Sequence, residues 1–466
     1  MSIIRKRYFR LGHLFKARCA ASLRKGLWTF RSKSLSLDEV DKVVETQRCK
    51  GSRDLLPEDM ARFRYIERIF RSCCLEWGYK ETRTPTLEYL HLFTTTGTLT
   101  PSMLSRIYSF LDWDGWSGER VVLRPDGTIP AARLYIENLS RVRPAKLFYV
   151  ENVFSFEETG KESRERWQCS AEIMGSAKPL ADVELILLAL ETLEKLGIKG
   201  VELHLSHAGV IRALLSELGL TPAEQGEVFA RILDGDTEVF NKLISTHSQL
   251  RDPLSSLFQV KGKSAGFLEN LKTSLTETFP NPNLKAGMED FIAIAQCLSN
   301  LGCEYQIDIA SAKSFEYYTG IIFRCYVGEE KVGGGGRYND LIPLLGGGDV
   351  PASGFALRVD QLMNLIDGWQ DDTPRILVRS EADTPSGQKR CFETATLLRR
   401  AGYIADLDQG YGEPTDHGWV LSIQGTEEEP DFLLTDQAGS KIMRTDSPAE
   451  ILDALQTANA SKASSS

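Results

Sequence analysis

The sequence predicts an α+β chain of two or three domains that closes on a small α/β unit. Three observations lead there. At 466 residues the chain is longer than a typical single domain. Near its start, Phe63, Ile66, Phe70, Cys74 and Trp77 recur at helical spacing, and separate strand-like runs follow. Beyond residue 374 the order becomes strand, helix, strand, which reads as βαβ.

Composition narrows the class. Hydrophobic residues make up 42% and charged residues 26%, ordinary values for a globular protein. No apolar run reaches bilayer length, so no transmembrane helix is expected. Nine cysteines lack CxxC spacing, and only Cys73 and Cys74 adjoin. Such a pattern suits reduced core cysteines in the cytoplasm and argues against a zinc site or a disulfide framework. Ten of the 55 Lys and Arg precede Asp38, leaving 45 against 64 acids. An acidic body is a poor tRNA surface, because nucleic-acid affinity rests on neutralising phosphates. Residues 1–48 form a basic, partly disordered extension that superficially resembles a mitochondrial presequence. A tail or an upstream start codon ranks ahead of targeting.

Taken in order, SLDEVDKVVET reads as a short helix capped by Ser36, and Lys50 to Pro57 punctuates the chain. Glu58 to Glu76 is the helix noted above. In residues 78–88, Pro85 ends a strand because it lacks the ladder donor. Ile107–Phe110 and Val121–Leu123 read as strands, and Arg124-Pro125-Asp126-Gly127-Thr128 opens a helix that Asp126 can cap. Leu147 to Ile173 reads as strand, loop, strand. Gln168 and Glu172 are four apart, so they point to one face. Residues 177–298 are mostly helical, with a strand at Val201–Leu205 and a helical insertion from Ser206 to about Leu284. His204 and His207 lack the further ligands a metal needs.

Tyr305–Ile309 is a strand, and after it Tyr317 and Tyr318 stand at a Thr319–Gly320 break before Ile321–Phe323. Gly333 to Gly336 let backbone approach a ligand closely, and positive φ is cheap there. The plainer reading is a hairpin with a glycine turn. Pro351 to Leu357 leads into a helix through Ile366, and 371–374 is a linker. Strands Arg375–Val378 and Ile404–Asp406 flank the helix Gln388–Ala401, with further strands at Trp419–Ile423 and Phe432–Leu434. Residues 374–458 therefore read as a parallel-sheet unit, and 459–466 as a disordered tail.

YYTG followed by GGGGRY resembles the two histidine-pocket segments of histidyl-tRNA synthetases and of their non-catalytic paralogues, the regulatory subunits of ATP phosphoribosyltransferase. KGSRDLLP, GYKETRTPTLE (motif 1), RPDGT where synthetases have RPEGT, motif 2 at 147–173 and motif 3 at 351–362 extend the resemblance over 49–370. It implies a class II aminoacyl-tRNA synthetase-like antiparallel sheet flanked by helices, in a homodimer. It implies a histidine pocket of Asp126, Thr128, Gln168, Glu172, Tyr317, Tyr318, Gly334 and Gly335, with Asp126 meeting the ligand ammonium.

The ATP side departs from the synthetase pattern. FRxE becomes Phe154-Ser155-Phe156-Glu157, RGLDYY becomes Lys313-Ser314-Phe315-Glu316-Tyr317-Tyr318, and ERL becomes Asp360-Gln361-Leu362. Adenylation sets a triphosphate beside a carboxylate, at a cost of about 4 kcal/mol per like-charge pair at an effective dielectric near 20. Arginine forks offset that cost. With Ser155, Lys313 and Gln361 in their places, the resemblance implies no catalytic residues, cofactor or metal. It implies a regulatory subunit that activates a short-form ATP phosphoribosyltransferase catalytic subunit and takes part in feedback by L-histidine. The alternatives are a divergent histidyl-tRNA synthetase, favoured by a C-terminal unit similar in order to an anticodon-binding domain, and an amino-acid sensor with another partner.

Overall fold

A computed structural model describes residues 48–95, 104–113, 118–157, 163–217, 262–308, 318–366, 375–381, 384–410, 417–425, 429–436 and 440–463, with positions 159, 221, 224, 225 and 228. The Ser36-capped helix, most of the helical insertion, Lys313 and Tyr317 lie outside the described residues. Among the described residues no helix is long and apolar enough to cross a membrane.

Helix α1 spans Pro57–Glu76. Pro57 suits the first turn, where its missing N–H would be unpartnered anyway. The Asp59 carboxylate accepts from the Leu56 amide at 3.2 Å, which satisfies one exposed donor. Its apolar face buries Phe63, Ile66, Phe70, Cys73 and Cys74. Each fully buried side chain of this size contributes about 1.5–3 kcal/mol relative to exposure.

That face packs on an eight-stranded sheet. Its strands are β1 (Lys80–Glu81), β5 (Ala145–Phe154), β6 (Glu165–Met174), β7 (Val201–His207), β8 (Gln306–Ile307), β9 (Ile321–Val327), β10 (Glu330–Arg337) and β11 (Ala352–Arg358), in the order β1-β5-β6-β11-β10-β9-β7-β8. The six central strands pair antiparallel, and the two short edge strands pair parallel to their neighbours. Phe70 meets Phe148 and Phe355 edge-on at 6.0 and 6.3 Å, so these residues mark the face turned toward α1. A second sheet of three strands, β2 (Leu87–Tyr89), β3 (Ser109–Trp113) and β4 (Gly118–Leu123), has the order β2-β4-β3.

Helix α2 (Thr128–Leu134) leaves the RPDGT turn, and α3 (Pro179–Lys195) follows β6. Helices α4 (Ala208–Ser216), α5 (Ala265–Thr278) and α6 (Pro282–Asn300) pack together, α6 also against α3. Helix α7 (Val359–Leu365) leaves β11. Two buried ion pairs tie these parts down. Arg337 reaches Asp182 of α3 at 2.7 Å and the Ser176 carbonyl at 2.9 Å. Arg124 reaches Glu151 at 2.7 Å and the Thr84 carbonyl at 2.9 Å. Removing one partner of such a pair typically costs 3–5 kcal/mol, because it strands a buried charge.

The C-terminal residues hold their own hydrophobic core around Ile376, Val378, Leu398, Leu421, Phe432 and Leu455. Strands β12 (Arg375–Ser380), β13 (Ile404–Leu407), β14 (Trp419–Gly425), β15 (Pro430–Asp436) and β16 (Lys441–Thr445) lie in the order β13-β12-β14-β15-β16. Helices α8 (Pro385–Arg400) and α9 (Pro448–Ala463) complete the unit. The expected all-parallel sheet is corrected to a mixed one. Strands β13, β12 and β14 are parallel, while β14, β15 and β16 are antiparallel, since the short β14–β15 and β15–β16 links leave no room for a crossover. Helix α9 also continues past residue 459, where a tail was expected.

The four-glycine run is corrected too. Gly333 to Gly336 are neither a loop nor a turn; they are the body of β10, and the turn before it uses Gly328 at φ 60°. None of the four has positive φ. They are glycines because neighbouring backbone is close. A Cβ on Gly335 would stand 2.0 Å from the Gly354 carbonyl oxygen, and one on Gly336 would stand 2.3 Å from that of Ile321. Gly335→Ala should therefore lower unfolding stability in urea by about 3 kcal/mol, the upper end for overpacking. Gly348, which has open space around its Cβ position, is the control. Gly348→Ala should shift stability by less than about 0.5 kcal/mol.

Candidate functional site

Strand register assembles the site. On the face away from α1, Leu147, Glu172, Gly354, Gly336 and Ile322 form one row across five strands. Tyr149, Ser170, Ala356, Gly334, Arg324 and His204 form the next. Glu151, Gln168 and Arg358 begin a third. The middle of these rows is made of Gly336, Gly354, Gly334, Ala356 and Ser170, so larger side chains around them can lie flat on that floor.

Glu172 is the centre of that floor, with 0% of its surface exposed. Its Oε1 accepts from the Tyr149 hydroxyl at 2.8 Å and from the Thr128 hydroxyl at 3.0 Å. Its Oε2 accepts from the Tyr338 hydroxyl. The carboxylate lies over Gly354, where a Cβ would fall 1.5 Å from Oε2. Only glycine allows that seat. Burial pushes the Glu172 carboxyl up to about 8 despite the three hydroxyl donors, and the nearby Asp126 pushes the same way.

The RPDGT turn brings one of the donors, Thr128. Arg124, held by Glu151 and Thr84, anchors it; the Asn152 carbonyl accepts from Arg124 Nε at 2.7 Å. Asp126 Oδ1 accepts from the Ile129 amide at 2.8 Å, so it does cap the helix, and its carboxyl is 4% exposed beside Glu172. Gly127 lets the turn press on Tyr149, whose Cε2 would be 2.7 Å from a Cβ there. Thr128 then starts α2 with its hydroxyl on Glu172. Tyr318 lies across Gly336, with Cδ1 2.9 Å from a hypothetical Cβ, and burial raises its hydroxyl pKa.

Of the residues named from the sequence, Asp126, Thr128, Glu172 and Tyr318 converge, and Gly334 and the half-buried Gln168 share their face of the sheet. Gly335 does not: it pairs with Phe355 in the row that faces α1, a consequence of strand alternation. Tyr149, Tyr338 and Gly354 were missed. Tyr338 stood in the GGGGRY run and carried a readable signal; Tyr149 and Gly354 emerge only from register.

On the other side of the motif pattern, Ser155 follows β5 and its amide donates to the Arg164 carbonyl at 3.0 Å. Gln361 lies in α7. Neither position carries a guanidinium. The adjoining Asp360 pairs with Arg53 and accepts from the Trp167 amide at 3.1 Å, fixing α7 to β6. The two histidines have structural roles. His207 Nδ1 accepts from the Val210 amide at 3.2 Å and so caps α4, while its Nε2 lies 3.2 Å from Asp290. His204 stands between Glu202 and Asp308, whose hydrogen bonding raises its pKa. Among the described residues no group of three or more His, Cys, Asp or Glu could hold a metal.

Known proteins resemble this chain in sequence and in fold. The family described as histidyl-tRNA synthetase matches residues 51–362. The chain is 49% identical to the ATP phosphoribosyltransferase regulatory subunit of Dehalococcoides mccartyi over 408 residues, 87% of this chain and 97% of that protein. It is 36% identical to the histidine–tRNA ligase of Methanosarcina acetivorans over 332 residues, 69% of this chain and 76% of that protein. In fold it is similar to a Bacillus halodurans ATP phosphoribosyltransferase regulatory subunit/histidyl-tRNA synthetase, with TM-score 0.68, 23% identity and coverage of 80% and 95%. It is likewise similar to the histidyl-tRNA synthetase of Nostoc, with TM-score 0.71, 17% identity and coverage of 89% and 99%.

The raised Glu172 carboxyl has a measurable consequence. Between its ordinary value of 4.5 and about 8 the folded state holds a proton that the unfolded state has released. Stability from this group is complete below the lower value and falls by about 1.4 kcal/mol per pH unit through the window. Glu172→Gln, which cannot ionise, should lose this slope. Urea unfolding at pH 5.5, 6.5 and 7.5 should show the variant gaining on the wild type as pH rises; parallel pH profiles would contradict the assignment.

Proposed function

The chain belongs to the histidyl-tRNA synthetase-like family and, within it, to the ATP phosphoribosyltransferase regulatory subunits, and from that premise we propose that it serves as the non-catalytic partner of a short-form catalytic subunit in the first step of L-histidine biosynthesis. The observation that carries this reading is the match to the regulatory subunit over nearly its whole length, at higher identity than to the ligase. That match of 408 residues is longer than residues 1–366, so it extends into the C-terminal unit. The unit therefore gives no preference to a synthetase.

The asymmetry of the site supports the same reading. Its amino-acid half keeps Asp126, Thr128, Gln168, Glu172 and Tyr318. Glu172 can accept an imidazole N–H, Asp126 and Gln168 can accept from an ammonium group, and Tyr318 can offer a flat wall. Adenylation needs fixed cations where a triphosphate meets a carboxylate. Ser155 and Gln361 supply none at the positions of the synthetase pattern, and Lys313 lacks the two-pronged fork. Such a chain binds L-histidine without activating it. Feedback then requires only that histidine favour one state of the assembly over another. The exposed Leu87, Tyr89, Phe110 and Leu111 of the three-stranded sheet supply apolar surface for a homodimer. A cytoplasmic setting fits the unpaired cysteines among the described residues.

Reconstitution tests the reading. Purified chain added to a short-form catalytic subunit should raise the rate of ATP condensation with phosphoribosyl pyrophosphate at least tenfold, and the chain alone should show no histidine-dependent ATP–pyrophosphate exchange. Exchange by the chain alone, with no effect on the catalytic subunit, would make it a synthetase.

A further inference from the structure

Away from the Glu172 site, the end of α6 brings two thiols together. The helix closes in the left-handed cap that glycine favours. Gly302 takes φ 76°, and its amide donates to the Ser299 carbonyl at 3.0 Å. The Cys303 amide donates back to the Leu298 carbonyl at 3.0 Å. In such a cap the second residue past the capping position lays its side chain on the last full turn of the helix. Counted from the capping residue Leu301, that residue is Cys303, and the turn beneath it presents Leu298 and Cys297.

Two further contacts hold this arrangement. The Tyr305 and Ser299 hydroxyls are 2.8 Å apart, which ties the segment after the cap to the same turn. Glu304 is exposed while Cys303 and Tyr305 on either side of it turn inward, and Cys297 and Cys303 pack at the edge of one core. Burial raises the Cys303 thiol, and the neighbouring Cys297 raises it further. Exposure also sets the pair apart. Among the described residues Cys73, Cys74, Cys169, Cys325 and Cys391 are buried and Cys49 is exposed, whereas Cys297 and Cys303 are half-buried. The pair thus combines access to a reagent with a neighbouring thiol.

We propose that Cys297 and Cys303 form a reversible dithiol site, which a small-molecule disulfide such as oxidised glutathione closes to an intramolecular disulfide. The thiolate of one cysteine attacks a sulfur of the external disulfide, whose S–S bond breaks; a mixed disulfide forms and one external thiolate leaves. The thiolate of the other cysteine then attacks the protein sulfur of the mixed disulfide and releases the second external thiolate. The dithiol is oxidised by two electrons, and the external disulfide is reduced to two thiols that take up the protons the cysteines lost. In a reducing compartment the pair stays open, so closure reports a rise in the disulfide share of the thiol pool. Closure fastens the last turn of α6 to the segment entering β8, after which the chain runs on to Tyr318.

The test is peptide mass spectrometry of the folded full-length chain after incubation with oxidised glutathione at mildly alkaline pH and trapping of free thiols with N-ethylmaleimide. Trypsin cleavage after Lys285 and Lys313 isolates Cys297 and Cys303 in one peptide with no other cysteine. That peptide should lose two hydrogens, escape the maleimide and regain both thiols with dithiothreitol. Cys297→Ser and Cys303→Ser should each leave the remaining cysteine carrying glutathione instead. Maleimide on both cysteines of the wild type, or stable glutathione on either without closure, would overturn the site.

Discussion

Close approach of backbone across β10 and β11 is the constraint on which the rest of the sheet depends. Gly335 and Gly354 come so near that any side chain on Gly335 would strike a carbonyl oxygen, and any on Gly354 would strike the Glu172 carboxylate. Glycine there costs conformational entropy in the unfolded chain. It leaves a sheet face on which a buried carboxyl can lie flat against backbone while three hydroxyls reach it. Tyr318 crosses Gly336 for the same reason. The site is thus a seat made by omitting side chains, taken by the Glu172 carboxylate and Tyr318 and walled by residues that other elements deliver.

Those deliveries rest on buried charge. Arg124 joins Glu151 of β5 to the segment before β2, and so sets the turn that brings Asp126 and Thr128 to Glu172. Arg337 joins the end of β10 to α3. Both guanidiniums have carboxylate and carbonyl partners, as buried arginines require.

Much of this was legible in the residues. The face of α1 followed from its period, and the shared side of Gln168 and Glu172 followed from their even separation along a strand. Asp126 as a cap followed from its place before the helix. What the sequence hid was of one kind. Glycine serves positive φ and close packing alike, so the run at 333–336 read as a loop although it is a strand. Alternation within that strand, invisible until its pairing was known, puts Gly334 on the pocket side and Gly335 on the other. Tyr149 and Gly354 meet Glu172 only through register between strands distant in the chain. Likewise, βαβ order at the C-terminus revealed the parallel strands and not the antiparallel pair that extends them.

On the proposed function, the Glu172 site selects an imidazole-bearing amino acid without activating it. Calorimetric titration of the full-length chain, alone and with the catalytic subunit, using L-histidine and then L-phenylalanine, tests it most directly. Saturable binding of L-histidine, one per chain, is expected, and none of L-phenylalanine, whose ring offers no N–H to the carboxylate. Equal heats for the two amino acids, or none for L-histidine in either setting, would contradict it.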